Sequence, residues 1–76
     1  MWKYRSPIGT IYIVYLPELR RYGTVYDGTV WETCDKPEAN ADNVYMQCTG
    51  CYDWDSLDIS RLSVPTGLSD WTYSPR

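Results

Sequence analysis

The dipeptide Asp27-Gly28 constrains the fold more than any other feature of the chain. It separates residues 21–26 from residues 29–34, two segments rich in the β-branched and aromatic side chains that favour strands. A two-residue turn of this composition favours type I′, which needs positive φ at both central positions. The sequence therefore predicts a tight antiparallel hairpin in which Val25 lies opposite Val30.

The same register, continued along the hairpin, sorts its side chains onto two faces. Thr24 would then lie opposite Trp31, and Tyr22 opposite Thr33. One face is predicted to be aromatic and partly exposed, and consists of Tyr22, Thr24, Tyr26 and Trp31. The other face is predicted to pack in the core, and consists of Val25, Val30 and Cys34.

Residues 9–16 predict another strand before the hairpin. Apolar side chains occupy both alternating sets of this segment, which indicates a central strand, or one covered on both sides. Residues 1–8 are expected to be an extended lead-in, because Ser6-Pro7 favours an extended or turn conformation.

After the hairpin, a helix is predicted over about residues 36–48. Asp35 is a suitable N-cap, and Glu38 three residues later completes a capping box. Gly50 fits the left-handed position that ends a helix. The expected buried stripe consists of Ala41, Val44, Tyr45 and Cys48.

Together these elements predict one α+β domain over residues 1–76. We expect a small antiparallel β-meander of three strands with one packed α-helix, in the order β-β-β-α, followed by an irregular C-terminal extension. In that extension, residues 59–64 are a candidate short strand, residues 68–71 a candidate helical turn and residues 74–76 a frayed tail.

The chain has no histidine, which removes the commonest general base and the commonest metal ligand. Cys48 and Cys51 form a C-x-x-C motif, but at the predicted helix C-terminus, where the helix dipole disfavours a thiolate. Two alternatives remain for these cysteines. One is a zinc site completed by Cys34 and a carboxylate or second chain, and the other is a pair of small side chains beside a glycine cap. We expect no enzyme, no cofactor and no metal.

Acidic charge is concentrated in the middle of the chain. The formal net charge is −3, from ten Asp and Glu against seven Lys and Arg. Residues 27–58 hold eight of those carboxylates and a single basic residue, Lys36. No signal peptide or membrane span is recognisable, so we expect a cytoplasmic protein that does not bind membranes.

The acidic segment predicts a protein-binding surface on the outward helix face and the loop after it. The proposed members are Glu38, Asp42, Asp53, Asp55 and Asp58, with Tyr52 and Trp54 as aromatic anchors. The alternative is a solvated loop in which the aspartates cap turns and Trp54 fills the core.

A second candidate surface is basic and aromatic, a combination that binds single-stranded nucleic acid through stacking and phosphate contacts. Its members are Lys3, Arg5, Tyr12, Arg20, Arg21, Tyr22 and Trp31. The alternative is that the C-terminal extension covers this face through Leu62, Val64 and Trp71.

Residues 28–57 resemble the RAMA domain family, a module associated with restriction enzymes and adenine methylases. The likeness rests on Gly28 in the hairpin turn, residues 37–41 at the helix start, Thr49-Gly50 after the helix, and Trp54. Lys36 and Glu38 stand where that family has serines. The resemblance implies a hairpin packed on a helix and a module that reads modified DNA.

Two functional hypotheses follow. The first is a small acidic module that binds a protein partner with a basic surface. In size and charge it is similar to phage or mobile-element inhibitors, anti-defence proteins that bind a nucleic-acid-handling protein. The second is a RAMA-like DNA-binding module that uses the basic and aromatic face. Either hypothesis is compatible with a homodimer, because so small a core leaves aromatic area to cover.

Overall fold

The computed structural model describes residues 1–75 and contains one antiparallel sheet of five strands. The strands are β1 (Trp2–Ser6), β2 (Gly9–Leu16), β3 (Arg21–Tyr26), β4 (Thr29–Cys34) and β5 (Thr72–Tyr73). They are arranged in the order β4-β3-β2-β1-β5, so that β2 is central as predicted. The α+β class is confirmed, whereas the prediction of three strands is wrong.

Both additional strands come from the ends of the chain. β1 pairs with β2 along its whole length, from Trp2 opposite Ile13 to Ser6 opposite Gly9. β5 pairs with β1, and beyond it the Ser74 N–H donates to the Met1 carbonyl at 2.7 Å. Residues 1–8, the expected lead-in, therefore contain a strand. Ser74, which was expected in a frayed tail, is hydrogen-bonded to the sheet. Arg76 lies outside the described residues.

The hairpin turn is confirmed, but the register beyond it is wrong in part. Asp27 and Gly28 have φ of 52° and 73°, and Val25 lies opposite Val30 as predicted. A β-bulge then inserts one extra residue into β4, so that Thr24 lies opposite Glu32 instead of Trp31. Because strand side chains alternate, this one-residue shift moves the rest of β4 to the other face.

The sheet has one covered face and one open face. The covered face carries the buried Ile11, Ile13 and Thr24, with Trp2, Tyr4, Tyr22 and Tyr26 packed against the same core. The open face carries Tyr12, Val14, Leu16, Val25 and Val30. The predicted face assignment is thus wrong: Val30 is 45% exposed, whereas Thr24 is only 2% exposed.

Two helices follow the sheet, α1 (Pro37–Tyr45) and the short α2 (Tyr52–Asp55). Pro37 occupies the first turn of α1, where its missing N–H has no helical partner. The predicted capping box is wrong, because Lys36 is the N-cap residue and makes no side-chain cap. Asp35 instead forms an ion pair with Arg21.

The end of α1 also differs from the prediction. Gln47 adopts a φ of 55°, its N–H donates to the Val44 carbonyl, and the Cys48 N–H donates to the Asn43 carbonyl at 2.9 Å. These two hydrogen bonds form a Schellman motif with Gln47 at the left-handed position. Gly50, the predicted helix stop, has a φ of 87° in the loop that leads to α2.

The core is small and lies between the covered face, the helices and the C-terminal extension. Its buried apolar side chains are Ile11, Ile13, Ala41, Val44, Cys51, Trp54 and Trp71. The predicted α1 stripe is half right, because Ala41 and Val44 are buried while Tyr45 and Cys48 are exposed. Residues 68–70 form the expected helical turn, but residues 59–64 form no strand. None of the helices within residues 1–75 is long and apolar enough to cross a membrane.

Candidate functional site

The outward side of α1 brings two carboxylates and two large apolar side chains together. Glu38, Asp42, Tyr45 and Met46 are spaced by four, three and one residues, so they share one side of the helix. Both carboxylates are exposed, as are Tyr45 at 47% and Met46 at 69%. We call this set the α1 surface.

Tyr45 also forms one wall of a surface groove of 580 Å³ beside α1. Its other walls come from the irregular C-terminal segment, through Ile59, Leu62, Ser63, Val64 and Thr66. We call it the apolar groove. Sequence reasoning missed it, because a groove between a helix and an irregular loop has no periodic signal. The only sequence hint was the apolar Leu62 and Val64 in a segment otherwise rich in serine.

Two of the predicted acidic residues serve the loop in which they lie. The Asp55 carboxylate accepts hydrogen bonds from the Thr49 and Gly50 N–H groups at 3.1 and 2.9 Å, and from the Thr49 hydroxyl at 2.8 Å. Asp58 accepts from the Ser60 N–H at 3.0 Å, and this bond lowers the pKa of Asp58. Both carboxylates therefore cap turns of the loop, as the alternative to a binding surface proposed.

The two predicted aromatic anchors have opposite environments. Tyr52 is 79% exposed, and Asp53 beside it is also exposed, so both remain available to a partner. Trp54 is only 1% exposed, and its indole N–H donates to the Val44 carbonyl at 2.9 Å. Its ring packs edge-on against Tyr4, with centroids 5.9 Å apart. The prediction of Trp54 as a binding anchor is wrong, because this side chain fills the core.

A polar network lies between α1 and the covered face. The Asn40 amide N–H donates to the Thr24 hydroxyl at 2.9 Å, which in turn donates to the Glu32 carboxylate at 3.0 Å. The Asn43 amide donates to the other Glu32 oxygen at 2.7 Å. Burial raises the pKa of Glu32, and the hydrogen bonds from Asn43 and Thr24 oppose that rise. The network joins α1 to β3 and β4, which is a structural role.

The three cysteines are free thiols in different environments. Cys34 and Cys48 contact opposite ends of the Asn43 amide, at 3.7 and 3.4 Å, while Cys51 is buried. Burial, followed by the charge of Glu32, raises the pKa of both Cys34 and Cys48, so the thiol form is favoured. Within residues 1–75, no group of three or more His, Cys, Asp and Glu side chains is placed to hold a metal ion.

The predicted basic and aromatic surface is only partly assembled. Lys3 and Tyr12 are paired neighbours on the open face. Arg21 also belongs to this face, but it is held by Asp35 and by the Thr33 hydroxyl at 2.8 Å. Lys3 and Arg5 share a 370 Å³ pocket with the carboxylate of Asp70, which reduces their positive potential.

The other predicted members lie elsewhere. Tyr22 lies on the covered face, where its ring centroid is 6.2 Å from that of Trp2. Arg20 is in the turn between β2 and β3, and Trp31 is the extra residue of the bulge. Val64 and Trp71 pack against the core on the covered face, so they do not cover the open face as the alternative proposed. The structure therefore does not bring Tyr12, Tyr22 and Trp31 together into one surface on which bases could stack.

Comparisons with protein-family models, with curated proteins and with solved structures each found no match. The resemblance to the RAMA family remains a prediction from short motifs.

Proposed function

We propose that this protein is an interaction module that binds a protein partner with a basic surface, through the α1 surface and the apolar groove. The observation that carries this proposal is the position of Tyr45, which belongs to both features. Tyr and Met are enriched in the apolar centres of protein interfaces, whereas charged residues are typical of the rim. The α1 surface combines the two kinds of residue on one side of a single helix.

The carboxylates favour a basic partner. Among residues 1–75, the side chains of Glu38 and Asp42 have neither a hydrogen-bond nor an ion-pair partner. Lys or Arg side chains of a partner would meet carboxylates that nothing else occupies. Such complementarity accelerates association and makes it sensitive to salt.

The groove favours an apolar anchor beside those basic residues. Leu62 is 37% exposed on one wall and Tyr45 is 47% exposed on the other, so an inserted side chain would remove apolar area of both from water. The preferred partner segment therefore carries an apolar side chain flanked by Lys or Arg. In the inhibitor version of the proposal, the partner handles nucleic acid, and Glu38 and Asp42 take the places of phosphates.

A matched pair of charge reversals tests the proposal. The full chain is immobilised, a nuclease-treated host lysate is passed over it, and the captured protein is quantified. Asp42→Lys should reduce capture about tenfold or more, because it sets like charges against each other at the interface. Glu18→Lys makes the same change of net charge at an exposed turn, and should leave capture unchanged.

Tyr45→Ala tests the groove in the same assay and should also reduce capture about tenfold. After the nuclease has been washed away from the captured complex, added single-stranded DNA should displace the partner if the partner's site is one that holds nucleic acid. Equal capture by wild type and by both α1 variants would exclude the α1 surface as the binding site.

A further inference from the structure

The open face is an apolar sheet surface that the rest of the chain leaves without a second layer. The core cluster includes none of its five side chains, Tyr12, Val14, Leu16, Val25 and Val30. Both Val44 of α1 and Trp71 of the C-terminal segment pack with Ile11 and Ile13 on the other side of the sheet. Val30 is 45% exposed and the other four side chains are half-buried by their neighbours in the sheet. Contiguous apolar side chains without a covering layer are a property of interaction sites.

Tight packing makes this surface continuous. A Cβ atom at Gly23 would lie 2.8 Å from Leu16 Cδ1 and 3.2 Å from Val30 Cγ1. The side chains of Leu16 and Val30 therefore close over the glycine from two neighbouring strands. The result is an aliphatic floor across β2, β3 and β4, and such a floor can pack against another sheet.

The chemistry of the open face argues against nucleic acid as its occupant. Only one of its five side chains is aromatic, Tyr12, and aliphatic side chains offer no ring on which a base can stack. Arg21 at one end is already paired with Asp35. What remains is an apolar centre with charges of both signs at its border.

Charge also separates this face from the remainder of the protein. The chain has a formal net charge of −3, so two copies repel each other over most approaches. The α1 surface carries two free carboxylates, whereas the border of the open face is balanced, with the cations Lys3, Arg5 and Arg21 against Asp27, Asp35 and Asp70. Two copies can meet by the open face without this repulsion.

We propose that the open face is the interface of a homodimer, in which two sheets pack face to face around a two-fold axis that runs along β2. A two-fold contact needs a self-complementary surface, and the borders of this face provide one. Arg5 lies opposite Thr10 on one side of β2, and Asp27 follows Tyr26 on the other side, at the same end of the sheet.

The axis along β2 sets β1 of each copy over β3 of the other. Arg5 then meets Asp27 of the second copy, and the aliphatic stem of Lys3 lies over Val25 of that copy. Val14 lies at the centre and meets its own symmetry mate. The dimer supplies a second layer to a domain that has, within residues 1–75, only seven buried apolar side chains, and whose cysteines are unpaired.

Sedimentation velocity of the full chain tests the dimer. From about 1 to about 200 µM, a range that brackets a micromolar Kd, the wild type should move from a monomer toward a dimer. The expected mass of the dimer is about twice the 8.9 kDa of the chain. Val14→Lys sets two like charges against each other on the axis and should give a monomer throughout. A wild type that stays monomeric over the whole range overturns the proposal.

A control variant and a folding measurement separate loss of the interface from loss of the fold. Leu19→Lys adds the same charge at a turn residue that is 57% exposed, and should leave the dimer intact. Circular dichroism shows whether each variant is folded. A folded Val14→Lys that still dimerises, or a Leu19→Lys that dissociates equally, overturns the assignment of the interface.

The exposed charges test the axis without disturbing the apolar centre. Arg5→Gln and Asp27→Asn should each raise the dimer Kd about threefold to tenfold. The Kd of the double variant should be no higher than that of the single variant with the larger effect, because either substitution already breaks the same contact. Additive effects overturn the Arg5–Asp27 contact and with it the axis along β2. This test involves no other protein, so it can fail while the binding role of the α1 surface stands, and the reverse also holds.

Discussion

The covered and open faces of the sheet are made by the same strands, but the helices and the C-terminal segment pack on only one of them. The open face is the more aliphatic of the two, with Val14, Leu16, Val25 and Val30. The covered face includes Thr24 and Glu32, yet Thr24 is almost fully buried and Glu32 is partly buried. The covered face also carries the largest apolar side chains of the sheet, among them Ile11, Ile13 and Tyr4, whereas the open face is bordered by Lys3, Arg5 and Arg21. The comparison shows that the helix packs on the face that offers it both large apolar side chains and hydrogen-bond partners.

Large aromatic side chains and a polar network together account for the choice of face. Tyr4 on β1 packs against both Trp54 and Trp71, with ring centroids 5.9 and 5.7 Å away. Asn40 of α1 donates to the Tyr22 carbonyl at 3.0 Å and to the Thr24 hydroxyl, so it is buried with partners on the sheet. The aromatic rings supply the apolar area, and the amide fixes the position of the helix.

The largest expected effect is at the centre of the covered side. Trp54→Ala should lower the free energy of unfolding by about 3–5 kcal/mol, because it leaves a large cavity at a fully packed site. The same deletion at Trp31, which is 40% exposed, should cost about 1 kcal/mol or less. Urea denaturation followed by circular dichroism measures both. Similar losses at the two tryptophans would mean that burial does not separate the core from the edge strand.

A smaller, pH-dependent effect should come from Glu32. Burial raises the pKa of Glu32 above its ordinary value near 4.5, so the folded protein holds the proton of this carboxyl more tightly than the unfolded chain does. The resulting penalty is present at neutral pH, and it disappears as the pH falls through the raised pKa. The unfolding free energy of the wild type should therefore increase relative to that of Glu32→Gln as the pH is lowered from about 7 toward about 4.5, the ordinary value of the group.

Urea denaturation of the two proteins across that pH range provides the measurement. The trend should persist at about 1 M NaCl, because salt screens exposed charges far more than it changes burial. A difference that is flat with pH would show that Glu32 is fully hydrated, and that the covered face is open to water at the edge of β4.

The smallest expected effect is on the open face, at Gly23. Gly23→Ala would push against Leu16 Cδ1 and, less closely, against Val30 Cγ1. Both are the ends of side chains with no packed layer above them, so they can move, and the substitution also removes the entropic cost of a glycine in a strand. The change in unfolding free energy should be under about 1 kcal/mol. Ala41→Val, at a fully buried site on α1, should cost about 1–3 kcal/mol through overpacking.

Both variants are measured by urea denaturation at a concentration at which the chain is monomeric. A loss above about 2 kcal/mol for Gly23→Ala would mean that the open face is packed like a core, and would remove the contrast between the faces.

Much of the local structure could be predicted from the sequence because its causes are local. Asp27-Gly28 specifies the hairpin through its φ angles, and residues 9–16 specify a central strand through their composition. The α+β class and the position of α1 follow from these patterns. In the candidate site, the exposure of Glu38 and Asp42 was predicted, since it follows from helical periodicity.

The remaining features depend on contacts between distant parts of the chain. Nothing near Trp31 in the sequence marks the bulge that exchanges the two faces of β4. Gln47 ends α1 in a conformation typical of glycine, while its side-chain amide donates to the Trp54 and Leu57 carbonyls at 2.8 and 2.6 Å. Only the folded loop can provide those carbonyls.

The sequence by itself determined a hairpin, a central strand, a helix and an excess of negative charge, because each depends on neighbouring residues. The tertiary structure alone decided that Trp54 belongs to the core, that Tyr45 faces outward beside a groove, and that the aliphatic face of the sheet is left open. The physical reason is that a small chain can bury only one face of its sheet. Long-range packing, which leaves no periodic trace in the sequence, selects which face that is.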